Sequence, residues 1–299
     1  MTLKNFSDVL QAVRTGRKFR LCVAAAEDVE LLRAVRMAVE MGFIHPMLTG
    51  DQDAVRRCAE EAGLSGFELV ACASGPESAT KAVSLVREGL ADVLMKGAIN
   101  TSDYMRAILN RDLGLRGGGL LSTLAVYEVP QYHKLIYCSD SGINVAPDLE
   151  QKKDILRNAL EAMRRLGMEN PKVAALTANE VVHPKVQATV DAAALVELVA
   201  KGELPQCIIE GPIAFDVAFD RHAAEHKGID SRISGDVDLL LAPNIETGNA
   251  LGKSWLTLNK AKWAGLVLGT THPVVLGSRS DTAEVKINSI ALACLLAQS

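Results

Sequence analysis

Aromatic residues, basic clusters and paired cysteines are all scarce in this sequence. Phe, Trp and Tyr make up 4% of its 299 residues, which leaves few platforms for stacking the bases of single-stranded nucleic acids. The formal net charge is −4 and no basic run stands out, so the chain lacks the clustered Lys and Arg that a phosphate backbone requires. We therefore expect no nucleic-acid partner.

A long apolar run is missing as well. No segment reaches the roughly 18 to 20 apolar residues of a membrane-spanning helix, and the N-terminus M-T-L-K-N-F-S-D lacks the apolar core of a signal peptide. The six cysteines stand far apart without a C-x-x-C pair, and a chain of this length needs no disulfide framework. These absences predict a cytoplasmic protein with reduced thiols and no membrane partner.

The sequence does contain a regular alternation of short apolar and longer amphipathic segments. Residues 19–26 are typical of a strand and 27–42 of a helix, and the alternation continues to a strand at 91–95. This βαβα order predicts an α/β fold with mostly parallel sheets and helices on both faces. Two further apolar runs, 122–129 and 134–139, flank a turn at Pro130 that would make them antiparallel neighbours.

The alternation resumes after the segment D-S-G-I-N-V-A-P at 140–147, where we expect the chain to cross between two domains. Later strands are predicted at 173–177, 207–210 and 236–242. A helix is predicted to start in G-P-I-A-F-D at 211–216, and the last helix is expected at about 281–297.

One turn suited to an anion follows the apolar V-V-L-G. There Ser278 and Arg279 precede the last helix, whose N-cap would be Ser280 or Asp281. A helix N-terminus offers free N–H groups, and the Arg fork fits phosphate oxygens. On its own, such a turn is more often an ordinary helix cap with an exposed Arg.

A second turn of the same kind follows L-M-K-G. Thr101 or Ser102 would cap the next helix, Arg106 lies one turn further on, and Lys96 ends the strand. Taken alone, this turn too is more often a cap with a solvated Arg. Two such turns at strand ends make a ligand that carries phosphate more plausible than either turn does alone.

A third polar turn follows the apolar run 239–242 and contains Asn244, Glu246 and Asn249. Ligands of parallel sheets bind beyond the carboxyl ends of the strands, so this turn either lines a ligand site or simply caps a helix.

The segment His222–His226 matches the H-x-x-E-H pattern of some zinc peptidases, with two His on one helical face and Glu225 as a base. No downstream carboxylate ligand stands out, and so short a pattern arises by chance. We expect no metal site.

Five longer motifs are similar to those of a known protein family. The segments L-M-K-G-A-I-N-T-S, G-P-I-A-F-D-V-A-F-D, H-K-G-I-D-S-R-I-S-G-D-V-D, A-P-N-I-E-T-G-N-A-L-G-K and G-S-R-S-D occur in this order and span most of the chain. Together they resemble the phosphate acetyl/butyryltransferase family, and the length and details are most similar to its butyryl branch.

The resemblance implies an enzyme that reversibly transfers a short acyl group between coenzyme A and inorganic phosphate, without a tightly bound cofactor. It also implies an isocitrate/isopropylmalate-dehydrogenase-like fold of two α/β domains, with the active site in the interdomain cleft. Residues 1–140 plus 270–299 would form a discontinuous first domain, and 141–269 the second. The expected assembly is a homodimer or a higher homo-oligomer.

Carried onto this sequence, the resemblance assigns Arg279 and Arg106 to the phosphoryl group and Ser278 to the reacting centre. Coenzyme A must lose its thiol proton, so a carboxylate base is required. The family's Asp has no aligned counterpart because the loop is about one residue shorter here. Glu284 is the nearest match and our predicted base, while Asp281 lies nearer the Ser-Arg pair and could instead be the helix cap. By position and motif, Asn244, Glu246 and Asn249 would line the cleft near coenzyme A or phosphate.

Three alternatives remain open. A phosphate acetyltransferase differs only in the acyl chain, and one methylene changes binding by only about 1 kcal/mol. An acyltransferase acting on acyl-carrier protein would require a basic docking patch, which does not stand out in this sequence. A non-catalytic protein that binds acyl-CoA or phosphate would not need Ser278, Arg279 and Arg106 together.

Overall fold

The computed structural model describes residues 3–277 and 281–298. In chain order, the elements of the first half are α1 (Phe6–Arg14), β1 (Phe19–Ala24), α2 (Val29–Glu40), β2 (Ile44–Gly50), α3 (Gln52–Ala62), β3 (Glu68–Ala71), α4 (Gly75–Arg87), β4 (Val93–Lys96), α5 (Thr101–Leu109), β5 (Ser122–Glu128) and β6 (Ile136–Ser139). Those of the second half are α6 (Leu149–Arg165), β7 (Lys172–Leu176), α7 (Gln187–Ala200), β8 (Ile208–Ile213), α8 (Phe215–Phe219), α9 (Arg221–His226), β9 (Leu239–Leu241), α10 (Ile245–Leu258), β10 (Lys262–Leu268), β11 (Val274–Val275) and α11 (Ala283–Gln298).

The chain packs into two compact units. The first unit contains Phe6–Gly119 and the described residues from Ala264 onward, and the second contains Leu120–Trp263 with residues 3–5. The crossings therefore fall at 119/120 and 263/264, whereas the sequence placed the domain boundaries at 140/141 and 269/270. The difference at the first crossing arises because β5 pairs with β6 and β6 pairs with β9, so both early strands belong to the second unit's sheet.

In the first unit the strand order is β3-β2-β1-β4-β11-β10. Its pairs are parallel, except that β10 and β11 run antiparallel. Helix α11 is apolar on nearly every side and is buried along most of its length, which is how such a helix avoids exposing apolar surface. Three of its polar residues, Lys286, Asn288 and Ser289, therefore lie buried inside the first unit, whereas Glu284 on its first turn is exposed.

The second unit has the strand order β5-β6-β9-β7-β8. Strands β5 and β6 are antiparallel, with Val126 opposite Tyr137, and the other pairs are parallel. A core cluster that includes Tyr127, Cys138 and Trp255 packs against this sheet. The α/β class, the mostly parallel pairing and the antiparallel neighbours predicted from the sequence are confirmed.

Strand β8 differs from its prediction. It runs through Gly211 and Pro212 to Ile213, where the sequence indicated the start of a helix, and α8 begins only at Phe215. A proline lacks the N–H that a central strand needs, but β8 is the last strand in its unit's order and, among the described residues, pairs only with β7. An edge strand tolerates the missing donor.

The amino ends of three strands in the second unit share a network of charges. The carboxylate of Asp236 accepts hydrogen bonds from Lys134 and His133, and from Lys172 at 2.6 Å. Burial alone would raise the pKa of Asp236, but the hydrogen bonds from Lys134, Lys172 and His133 outweigh it and lower that pKa well below its usual range. The network links the starts of β6 and β7 to the segment before β9.

All six cysteines are free thiols. Burial raises the pKa of the Cys22 and Cys138 thiols to about 12, so both are protonated and unreactive at neutral pH. Within residues 3–277 and 281–298, no helix combines the length and the apolar character needed to cross a bilayer.

Candidate active site

A polar pocket lies in the first unit, at the carboxyl ends of β4 and β11 and beside the starts of α2 and α11. Its empty volume is about 350 Å³, including space open to the solvent. Four of its lining side chains are charged: Asp28, Lys96, Asp281 and Lys286. Carboxyl ends of parallel strands are where α/β sheets bind ligands, and the charges suit a small polar ligand.

Lys96 reaches this pocket from the last position of β4. It is 7% exposed, and its ammonium donates a hydrogen bond to the carbonyl of Gly97 at 3.4 Å. A Cβ atom on Gly97 would lie 2.1 Å from the carbonyl oxygen of Ala25, so only glycine fits after the lysine. The pair Lys96-Gly97 therefore places an ammonium at the strand end while the backbone turns tightly against β1.

Gly277 and Asp281, which precede the last helix, flank the segment that carries the predicted Ser-Arg pair. Ser278, Arg279 and Ser280 lie outside the described residues, but Gly277 and Asp281 both line the pocket. The Asp281 carboxylate lies 3.1 Å from the position that a Cβ of Gly277 would occupy. The chain that connects to Ser278 and Arg279 thus enters and leaves at the pocket.

The cap of the last helix differs from the prediction. Helix α11 begins at Ala283, and the hydroxyl of Thr282 accepts a hydrogen bond from the N–H of Val285 at 3.4 Å. Thr282 thus takes the role that the sequence assigned to Ser280 or Asp281. Asp281, which precedes the cap, has its side chain in the pocket instead.

The two carboxylates proposed as the base are placed differently. Asp281 lines the pocket, whereas Glu284 is exposed on the first turn of α11 and is not among the described residues that line it. A base must come within hydrogen-bond reach of the thiol proton. The geometry favours Asp281 over Glu284, the nearer match by motif.

Two pocket residues on α11 were missed by the sequence prediction. Lys286 is 5% exposed, and its ammonium donates to the main-chain carbonyl of Asp281. Ser289 accepts a hydrogen bond from the N–H of Gly265 at 3.0 Å, which fixes α11 against β10. The available signal was a Lys and a Ser three residues apart on one side of an otherwise apolar helix.

The second predicted anion turn forms the start of α5. Asn100 precedes the helix at the N-cap position, and Thr101 and Ser102 are exposed residues of its first turn. The prediction that one of the two hydroxyls caps the helix is therefore wrong, because the chain becomes helical one residue earlier. Arg106 is exposed and forms an ion pair with Asp103 at 2.6 Å, so a phosphate would have to displace this carboxylate.

The third polar turn starts α10 in the second unit. Asn244 is its N-cap, and its side-chain oxygen accepts from the N–H of Thr247 at 3.0 Å. This is the capping alternative considered from the sequence, so Asn244 has a structural role. Glu246 on the first turn and Asn249 on the second are exposed, and the side chain of Asn249 donates to the carbonyl of Ser141 at 3.3 Å.

Ser141, which accepts this hydrogen bond, lies in a loop after β6 that the sequence did not indicate as part of a site. The buried carboxylate of Asp140 accepts hydrogen bonds from the N–H groups of Gly142, Ile143 and Asn144, and from the hydroxyl of Thr123. A carboxylate held by so many donors fixes the loop conformation. The polar start of α10 is thus packed on a rigid loop at the carboxyl end of β6.

The H-x-x-E-H pattern falls on α9, a helix of six residues. The rings of His222 and His226 lie 6.4 Å apart between their centroids. Across the described part of the chain, no group of three or more His, Cys, Asp and Glu side chains is arranged to hold a metal ion.

The pocket and its flanking motifs can now be compared with known proteins. The family model for phosphate acetyl/butaryl transferase matches residues 73–294, which is most of the chain. The chain belongs to this family. Membership confirms the resemblance inferred from L-M-K-G-A-I-N-T-S and G-S-R-S-D, both of which lie inside the matched range.

Relatives within the phosphate acetyl/butaryl transferase family match over nearly their full lengths. The phosphate butyryltransferase of Clostridium acetobutylicum is 39% identical over 99% of both chains. The phosphate acetyltransferase of Thermotoga maritima is 38% identical over 98% of this chain and 100% of its own. The predicted enzyme class, a phosphate acyltransferase, is therefore confirmed.

Among solved structures, a branched-chain phosphotransacylase from Enterococcus faecalis superposes with a TM-score of 0.81. It is 31% identical and covers 93% of this chain and 99% of its own. The fold of this chain therefore matches that of the solved structure over nearly its whole length.

Proposed function

We propose that the chain catalyses acyl-CoA + phosphate ⇌ acyl phosphate + CoA, with butyryl or another short acyl group. The observation that carries the proposal is the placement of Lys96, Gly277 and Asp281 at one pocket, in a member of this family. Cationic and hydrogen-bonding groups there suit the phosphoryl group, and a carboxylate suits the thiol proton.

In the direction of thioester synthesis, the thiol of coenzyme A gives its proton to a carboxylate. The sulfur then attacks the acyl carbon, a C–S bond forms, and the C–O bond to phosphate breaks with its electron pair leaving on the phosphate oxygen. Both substrates are bound at once, because holding them in line supplies much of the acceleration without a covalent acyl-enzyme.

The roles of individual residues follow from this chemistry. Arg279 and Arg106 hold the phosphoryl group, with Lys96, Thr101 and Ser102 as further phosphate ligands, and Ser278 donates to the reacting carbonyl. We assign the base to Asp281, with Glu284 as the competing carboxylate. In the second unit, Glu246 and Asn249 contact coenzyme A, and Asn244 supports them as the cap of α10.

The acyl chain has two candidates. The butyryl and acetyl relatives are 39% and 38% identical to the chain, so identity does not separate them, and the solved relative is named for branched chains. Chains that differ by one methylene differ by only about 1 kcal/mol in a pocket. We propose a butyryl or similar short chain, and acetyl as the second candidate.

We further propose that the enzyme is a cytoplasmic homodimer or higher homo-oligomer with no tightly bound cofactor. Acyl-CoA, coenzyme A and phosphate are its substrates. Light scattering on the purified protein measures the assembly directly, and a mass equal to that of one 32.0 kDa chain would contradict it.

The decisive experiment measures phosphate-dependent release of free thiol with acetyl-, propionyl-, butyryl- and isobutyryl-CoA. We expect the highest kcat/KM for one of the four-carbon substrates. A maximum with acetyl-CoA would support the second candidate. No thiol release above background with any thioester, despite measurable binding of acyl-CoA, would instead identify a non-catalytic binding protein.

A further inference from the structure

Lys286 lies at a place where a lysine is unfavourable for stability. It is the fourth residue of α11, close to the positive end of the helix dipole, and the side chain is 95% removed from solvent at 5% exposure. Cations are disfavoured near helix N-termini, and lysines are rarely buried without a charged partner. A stabilising role alone therefore does not explain a lysine at this position.

The hydrogen bonds of Lys286 leave donors available. Its ammonium has three N–H groups, and within the described residues one of them is used, on the carbonyl of Asp281. The remaining donors belong to a side chain that lines the pocket. A buried ammonium with donors to spare suits an anionic ligand that would complete its hydrogen bonds.

The rest of the pocket adds further positive potential. Lys96 is also buried there, and helix α2 as well as α11 begins at the pocket. One of the two carboxylates, Asp28, is already engaged, since its side chain accepts from the N–H of Leu31 at 2.9 Å and so caps α2. Lys96 and Lys286 offset the carboxylates of Asp28 and Asp281, and the two helix N-termini add the positive potential that suits an anion such as phosphate.

We propose that Lys286 is a phosphate-binding residue, which together with Lys96 holds inorganic phosphate or the phosphoryl group of an acyl phosphate in this pocket. This rests on the proposed function, because it assigns the phosphate subsite of that reaction to the first unit. Lys286 contacts the leaving phosphate, and its bond to Asp281 keeps the carboxylate segment beside the same ligand.

The test uses the full-length protein and inorganic phosphate as the probe. Lys286→Gln keeps an N–H donor for the carbonyl of Asp281 but removes the charge, and Lys81→Gln on the exposed face of α4 is the matched control. Calorimetric titration should show phosphate binding weakened at least tenfold by Lys286→Gln and by less than twofold by Lys81→Gln. Lys286→Arg should recover part of the loss.

Steady-state kinetics distinguishes a role of Lys286 in binding phosphate from a purely structural role. The KM for phosphate should rise at least tenfold in Lys286→Gln, while the KM for acyl-CoA stays within about twofold. A lower melting temperature with unchanged phosphate affinity would make Lys286 a purely structural residue and overturn the proposal. Absence of phosphate binding by the unaltered protein would overturn it as well.

If Lys286→Gln does not fold, the unaltered protein provides the answer. Inorganic phosphate should slow reductive methylation of Lys286 but not of Lys81, as measured by peptide mass spectrometry, and equal rates would refute the proposal. Because binding and labelling need no turnover, phosphate binding that depends on Lys286 without thiol release would sustain this inference and reject the proposed reaction.

Discussion

The buried ammonium of Lys286 donates a hydrogen bond to the main-chain carbonyl of Asp281, five residues earlier. Through this bond, helix α11 fixes the residue that ends the Ser278–Ser280 segment and carries a pocket carboxylate. The position of that carboxylate therefore depends on a helix that is itself buried in the first unit.

The identity of the base can be tested with two amide variants. Asp281→Asn should lower kcat for thioester synthesis by about 100-fold or more, because positioned general bases contribute roughly 10²- to 10⁴-fold. Glu284→Gln, an exposed position one turn away, should stay within about threefold. Thiol consumption at saturating acyl phosphate measures both. The reverse order of effects would assign the base to Glu284.

The phosphate role of Arg106 predicts opposite effects for two neighbours. Arg106→Ala should raise the KM for phosphate at least tenfold, about 1.4 kcal/mol. Asp103→Asn removes the carboxylate that now pairs with Arg106 at 2.6 Å, so it should leave the KM for phosphate unchanged or lower it. An unchanged KM for phosphate in both variants would show that the ion pair acts only as a surface contact within α5.

Arg279→Ala is expected to lower kcat/KM for phosphate at least tenfold, roughly 1.4 kcal/mol, because a planar guanidinium binds phosphate oxygens in pairs. The measurement is steady-state thiol release with phosphate varied at saturating acyl-CoA. Unaltered kinetics would remove Arg279 from the site.

The tight turn after Lys96 predicts a large loss of stability from one methyl group. In Gly97→Ala the added carbon would lie 2.1 Å from the carbonyl oxygen of Ala25, so the ends of β1 and β4 would have to separate. Overpacking of this kind costs about 1–3 kcal/mol. Gly119→Ala, where nothing lies within 4 Å of the new carbon, is the control. Equal urea midpoints for the two variants would refute the clash.

The Asp236 network predicts a defined dependence of stability on pH. The folded protein holds the pKa of Asp236 well below its ordinary value of 3.8, so the carboxylate stabilises the fold above that pH. The melting temperature of Asp236→Asn should thus fall below that of the unaltered protein at pH 7. The gap should narrow below about pH 4, because the unfolded chain there binds a proton that the folded carboxylate takes up only in stronger acid. Asp112→Asn, an exposed turn residue, should show little change. A gap that widens in acid would contradict the assignment.

Local patterns predicted much of the fold, since the apolar alternation indicated the strands and the turn at Pro130 indicated an antiparallel pair. The place of β11 between β4 and β10 depends on contacts between distant segments, which no local pattern contains. Pro212 suggested a helix start because its edge position in β8 becomes visible only when the sheet is assembled.

Only part of the site was predicted, again because local patterns do not contain the contacts between distant segments. Lys96 follows from the rule that ligands bind beyond strand ends, and it lines the pocket. Asp281 also lines the pocket, although the sequence favoured Glu284 as the base and Asp281 as a possible helix cap. Lys286 was missed because a single lysine in a helix usually extends to solvent, and only the burial of α11 on all sides turns it inward. Asp28 was missed because it is also a good helix cap, a role it does have.

The pairing of β11 with β4 also sets an order of assembly during synthesis. Val274 pairs with Leu94, so β4 lacks this neighbour until the ribosome has made 180 further residues. Every helix and strand of the second unit is made in that interval, and domains commonly fold as they emerge. Lys96 and Lys286 therefore come together only at the end of translation, which makes the newborn chain inactive until its final helix is in place.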